Sequence, residues 1–259
     1  YGLLQPDGWA ALERLTYFVL FPPLMFMSIV EGSFAGADAL VLGQVLAGTV
    51  IVMAVLMTLA RPLLARDGPQ FSSVFQAGLR WNGYIALGVI SGLFGEAGLG
   101  LAAVGFAVLV PINNVLSVLV LSRYAGTTPA PFGKVIRSIA ANPLNLLGDA
   151  TISLGLICVG AALDFRAMRE AKWRLAAGAA LRLGVMPAVT FGLAYAFGLS
   201  GMALQIAMIC VAAPVATSAY ILPRQLGGDA RLMANIVTLT TLLSLVTIPL
   251  TLMLVSALT

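Results

Sequence analysis

Residues 210–232 read CVAAPVATSAYILPRQLGGDARL. The flanking runs are apolar and long enough to cross a bilayer. This stretch nevertheless carries Pro214, Pro223, the pair Thr217-Ser218, the pair Arg224-Gln225 and the double glycine Gly227-Gly228. Proline removes a backbone donor and clashes with the preceding turn, so a helix entering at Cys210 is expected to break near Pro214. Backbone groups freed by such a break cannot face hydrocarbon. They must line a cavity or be buried in protein.

The composition sets the environment in which that break has to exist. Of the 259 residues, 60% are hydrophobic and 9% charged, and the mean hydropathy is +1.02. A soluble domain carries about 25% charged residues. The chain is therefore expected to be an all-α integral membrane protein, with apolar segments at about 10–30, 38–60, 71–94, 99–122, 149–165, 174–199, 202–223 and 231–257. The formal charge of +4 reflects Lys and Arg in loops and gives no reason to expect a nucleic-acid partner.

The loops sort by charge. Residues 61–80 carry Arg61, Arg66 and Arg80, residues 123–137 carry Arg123, Lys134 and Arg137, and 166–174 carry Arg166, Arg169, Lys172 and Arg174. Residues 31–38, 95–98 and 199–201 carry no Lys or Arg. The positive-inside rule assigns the first group to the cytoplasm. Alternation then fails once, between 137 and 166, because a single crossing at 149–165 would place the most basic loop outside. A helix missing near Asn142 to Gly148, and another before Tyr1, would restore ten spans in two sets of five. Residues 1–141 would be the first repeat, with helices two to five. Residues 142–259 would be the second, with helices seven to ten and the sixth largely absent. Sets of five are related by inversion in the membrane. A weak internal echo agrees: Gly95-Glu96-Ala97 and Gly228-Asp229-Ala230 each precede a long apolar helix with one proline, Pro111 or Pro249.

The segment corresponding to 202–223 in the first set is FSSVFQAGLRWNGYIALGVISGLFG, residues 71–95, which has its own breakers at Asn82-Gly83 and Gly88. Two interrupted helices in corresponding positions point to a binding site near mid-membrane. Their half-helix N-termini present positive dipole ends that suit a carboxylate. Close packing of small residues is the plainer explanation for either break taken alone.

Other polar residues rank below these. Arg182 lies about nine residues inside its span, and its charge can meet substrate, meet backbone carbonyls or snorkel to the headgroups; snorkelling is favoured. Asn113, Asn114 and Asn235 suit interhelical hydrogen bonding as well as ligand contact. The kink expected at Pro22-Pro23 is structural. Glu31, Asp38, Glu96 and Asp229 lie at segment ends, and the chain has no histidine. A proton relay is thus not visible, and whether H+ or Na+ couples to transport is left open. Cys158 and Cys210 are isolated in apolar runs, so no disulfide, metal site or Cys-His nucleophile is expected. No paired carboxylates and no Gly-Lys-Ser/Thr motif occur, so the chain is expected to be neither an enzyme nor an ATP-driven pump, and no cofactor is anticipated.

The sequences PDGWAALERLTYFVLFPPLMF, RWNGYIALGVISGLFGEAGL, AANPL at 140–144, GDATISLGLICVGAALDF and VAAPVATSAYILPRQLGGDARLMANIVTLTTLLSLVTIPL resemble the auxin efflux carrier family, in its bacterial branch. The resemblance covers nearly the whole chain. It implies a ten-helix inverted-repeat fold similar to bile acid sodium symporters and sodium/proton antiporters. Helices one, two, six and seven would form a scaffold, and helices three to five with eight to ten a transport unit. In such a fold broken helices four and nine cross. The implied substrate is a small organic anion, a carboxylate or auxin-like compound, moved by alternating access. Carried over by position, the substrate-binding residues are Asn82, Gly83, Tyr84, Pro214, Ala216, Thr217 and Ser218, with Asn113, Asn114, Arg182 and Asn235 behind them. Gly88 stands where many members have proline, and Val215 where a second proline is frequent. Membrane lipid is an expected partner, a homodimer an expected assembly, and the bacterial inner membrane the expected location of a multi-pass protein. A non-transporting membrane sensor or scaffold with the same pocket is the rival reading. A channel is disfavoured because no ring of polar residues repeats.

Overall fold

A computed structural model describes residues 37–125, 172–220, 223 and 226–258. The expected spans at 10–30 and 149–165, Pro22-Pro23, Asn142 and Cys158 lie outside the described residues. Among those described, every regular element is helical: α1 (Ala37–Leu59), the short α2 (Arg61–Leu64), α3 (Gly68–Leu79), α4 (Gly83–Tyr124), α5 (Lys172–Ala180), a π-helical turn (Leu181–Val185), α6 (Met186–Phe197), α7 (Gly201–Ala212), a 3-10 turn (Thr217–Tyr220) and α8 (Ala230–Leu258). Four helices are long and apolar enough to cross a membrane: Asp38–Leu59, Gly83–Tyr124, Trp173–Phe197 and Ala230–Leu258. The chain is an all-α membrane protein.

Local chemistry fixes where these helices start and stop. Asp67 caps α3 by accepting from the Gln70 backbone N–H at 2.8 Å, with Pro69 in the first turn where its missing donor costs nothing. Asp229 does the same for α8, accepting from Leu232 N–H at 2.9 Å. At 42 residues, α4 would be about 63 Å long if straight, twice the hydrocarbon thickness. Gly95 resolves this with φ 57° and ψ −145°, a conformation open essentially to glycine alone, and divides the run into 83–94 and 96–124. Glu96 lies exposed at that turn.

Contacts between helix ends bring several arginines together. The Arg61 guanidinium sits 4.4 Å from the Tyr124 ring centroid, Trp173 Nε1 reaches Leu63 O at 3.5 Å, and Asp229 N donates to Pro69 O at 3.2 Å. These contacts gather Arg61, Arg123, Arg174 and Arg231 at one end. It follows that α3 enters from the basic end, whereas α7, following α6 across the protein, enters from the other.

The interior is formed where α1, α3, α4, α6, α7 and α8 pack on one another. Thr49 and Thr190 join α1 to α6 by a 3.1 Å hydroxyl contact with both side chains fully buried. α7 is buried almost throughout, from Leu204 to Ala212. In contrast, Leu245, Val246, Leu250, Met253, Leu254 and Leu258 of α8 are exposed, as suits a surface that faces an apolar medium.

Candidate binding site at two helix interruptions

Both interrupted segments break, and the breaks meet. The first lies at residues 80–82, between α3 and α4. The second lies at 213–216, between α7 and the 3-10 turn. Trp81 and Val215 form an isolated antiparallel bridge, and Asn82 N donates to Pro214 O at 2.8 Å. The first break sits several residues before Gly88, through which α4 continues as regular helix. Gly88 is thus not a breaker, because a glycine inside a helix costs only about 1 kcal/mol and interrupts nothing by itself.

Every exposed backbone group at such a break needs a partner. Asn82 supplies one by capping α4, its Oδ1 accepting from Ile85 N at 3.2 Å. Val215 N donates to the Thr240 hydroxyl of α8 at 3.2 Å, while that hydroxyl donates to Ile236 O at 2.8 Å. Leu79 O accepts from Asn113 Nδ2 at 3.1 Å.

The remaining carbonyls converge on Arg182. This side chain is completely buried. Its Nε donates to Ala213 O at 2.8 Å and its Nη2 to Cys210 O at 3.1 Å, at the end of α7. Its Nη1 lies 3.3 Å from Leu79 O and 3.5 Å from Gly78 O, at the end of α3, and 2.8 Å from Met186 Sδ. The favoured expectation of snorkelling is overturned. The reason is electrostatic: each helix C-terminus carries the equivalent of about half a negative charge, so two converging ends together balance roughly one guanidinium. The π-helical turn at Leu181–Val185 bears the arginine at this point; such bulges are frequent at functional sites.

On the other side of the breaks is a cavity of about 70 Å³. Arg80, Trp81, Asn82, Gly83 and Tyr84 line it from the first interruption, Ala216 and Thr217 from the second, and Phe106, Asn113 and Asn114 from the far limb of α4. The Trp81 and Phe106 rings pack 4.4 Å apart between centroids. Phe106 lies so close to Gly83 that an added Cβ would meet its ring at 2.5 Å and force the ring to shift. Asn82 Nδ2 and Asn113 Oδ1 are buried with no hydrogen-bond partner among the described residues. A buried amide left in that state costs about 1–3 kcal/mol, which a bound polar ligand or water would recover.

The structure thus brings together Asn82, Gly83, Tyr84, Ala216 and Thr217, as well as Asn113 and Asn114. Pro214 takes part through its carbonyl rather than by lining the cavity. Ser218 falls on the 3-10 turn, and its side chain is not among those described. Arg182 is on the carbonyl side of the breaks, and Asn235 is buried on α8 away from the cavity lining. Arg80 is the residue that sequence reasoning missed. Its charge groups it with the basic loop, but it stands two positions before the asparagine break and inside the apolar run, which is the signal that separates it from Arg61 and Arg66.

Comparison with known proteins bears on this arrangement. A model of a membrane transport protein family matches residues 118–252, just over half of the chain. The chain belongs to the auxin efflux carrier family of membrane transporters. An uncharacterized transporter from Methanothermobacter thermautotrophicus is 24% identical in an alignment covering 96% of this chain and 90% of the relative. The stretch matching the family spans the second interruption and most of α8, whereas the archaeal alignment takes in nearly all of the chain.

Proposed function

We propose that this auxin efflux carrier family member is a secondary transporter of a small organic anion, with the cavity at the two interruptions as its binding site. The observation that carries the reading is the joint between Asn82 N and Pro214 O, beside which Arg80, Asn82, Asn113 and Asn114 share one largely apolar cavity. The α4 N-terminus opens at Gly83 in the cavity wall, and the Arg80 side chain lies in the same wall. A helix N-terminus and a guanidinium both favour negative charge. Asn82 Nδ2 supplies a donor for a carboxylate oxygen. Asn113 Oδ1 asks for a donor in return, which a hydroxy acid or a half-protonated diacid would provide.

The mechanism we infer is alternating access in an inverted-repeat fold of ten helices. The order of described elements supports it: a long helix, an interrupted helix and a second long helix occur before residue 125 and again after residue 172. The interrupted members enter from opposite ends, as inversion requires. The alignment with the archaeal transporter runs over 277 positions while covering 96% of these 259 residues, so the relative carries about one helix-length of sequence with no counterpart here. That excess is what a sixth helix lost between Asn142 and Gly148 would produce.

Counterflow in proteoliposomes tests the proposal. Vesicles loaded with malate, glycolate, malonate, succinate or indole-3-acetate should accumulate the labelled form of at least one short carboxylate. Binding of a carboxylate with no exchange of any of them would replace the carrier by a membrane sensor.

A further inference from the structure

We propose that Arg182 is a positioning residue that serves as a built-in cation at the meeting point of α3 and α7, and that the four carbonyls around it form a cation site when the side chain is removed. Gly78 O and Leu79 O come from the end of α3, and Cys210 O and Ala213 O from the end of α7. None of these acceptors belongs to a side chain, so the site survives any substitution at position 182. Half-helix C-terminal carbonyls are the groups that transporters of this general build use to coordinate Na+. Here a covalently attached guanidinium takes that position. Among the described residues, no group of three or more His, Cys, Asp or Glu could hold a metal, so the backbone oxygens are the natural ligands.

The geometry distinguishes this role from simple core filling. A planar guanidinium presents donors in a fixed fork, and the Nε and Nη2 atoms serve one half-helix while Nη1 serves the other. Lysine offers one compact point charge and cannot span both ends as well. Methionine matches the length and fills the space but leaves the carbonyls of Gly78, Cys210 and Ala213 and two dipole ends uncompensated, Leu79 O keeping only its bond from Asn113. A charge held within the fold also means that the joint between the half-helices needs no inorganic cation.

The test is thermal unfolding of the full-length protein in detergent, for wild type and for the variants Arg182→Ala, Arg182→Lys and Arg182→Met. Millimolar guanidinium should raise the midpoint of Arg182→Ala in a saturable manner, by roughly 2–4 °C, with no rise in wild type. Sodium and potassium should give a smaller rise in the same variant. Wild type should unfold at the same temperature whether sodium or choline is the bulk cation. The order of stability should be wild type, then lysine, then methionine. Should Arg182→Ala fail to yield folded protein, the folded yields of the lysine and methionine variants decide in the same order. Methionine equal to or better than lysine would overturn the proposal, as would an Arg182→Ala protein indifferent to all three cations. Equal stabilisation of wild type by sodium would also overturn it. Because the readout is unfolding, the result does not depend on which substrate is carried or on whether transport occurs.

Discussion

The two interruptions are built from opposite materials. The first, at 80–82, uses side-chain chemistry: Asn82 caps the following helix, Arg80 and Trp81 project beside the cavity, and Gly83 lets Phe106 close over the turn. The second, at 213–216, relies on a proline carbonyl and a threonine borrowed from α8. Among the described residues, five of the cavity wall come from positions 80–84 and two, Ala216 and Thr217, from the other break. The difference teaches that two breaks in matching positions need not share work equally. In the proposed carrier the first would recognise the ligand and the second would frame it.

The largest effect should come from Asn82→Ala, which removes the helix cap and the unpartnered cavity donor together. Carboxylate binding measured by isothermal titration should fall by about a hundredfold or more, and helix-cap loss should lower stability by about 1 kcal/mol. Retained affinity would mean that the first interruption does not recognise the ligand. Next comes Thr240→Val, which leaves Val215 N–H buried without its acceptor and should cost about 1–3 kcal/mol in detergent unfolding. Its ligand affinity should change little in protein that remains folded. Loss of affinity without loss of stability would assign the second break a recognition role after all.

Gly83→Ala places a methyl against the Phe106 ring and should destabilise by about 1–3 kcal/mol. Pairing it with Phe106→Leu should restore part of that loss, and strict additivity would show that the ring contact is not the cause. The smallest effect is expected for Thr217→Val, about a tenfold weakening of carboxylate binding with the melting temperature nearly unchanged. A loss as large as that of Asn82→Ala would erase the asymmetry between the two breaks.

The sequence makes the breaks themselves legible because proline and the Asn-Gly pair carry their conformational preferences locally. The helices on either side are legible for a similar reason, since a run of about 20 apolar residues has few alternatives in a bilayer. The partner of Arg182 is not legible in this way. Apart from Met186 Sδ one turn along, its acceptors are main-chain oxygens of Gly78, Leu79, Cys210 and Ala213, and a carbonyl looks the same in every residue, so no side-chain pattern announces them. Thr240 is hidden likewise, one hydroxyl among several on α8, distinguished only by the Val215 N–H that tertiary packing brings to it. Arg80 was obscured by its neighbours: counted with Arg61 and Arg66 it looks like loop charge, although the helix capped by Asp67 carries it into the interior.

The π-helical turn at Leu181–Val185 has a consequence for helical phase. A wide turn admits one residue more than a regular one, and a residue corresponds to about 100° of rotation. The face that α5 presents before the turn is therefore offset from the face that α6 presents after it, although the two run on as one rod from Trp173 to Phe197. Deleting Gly184 would bring the two halves back into phase. It would turn Arg182 away from the four carbonyls or turn Thr190 away from Thr49, since a rod in regular register can satisfy only one of the two.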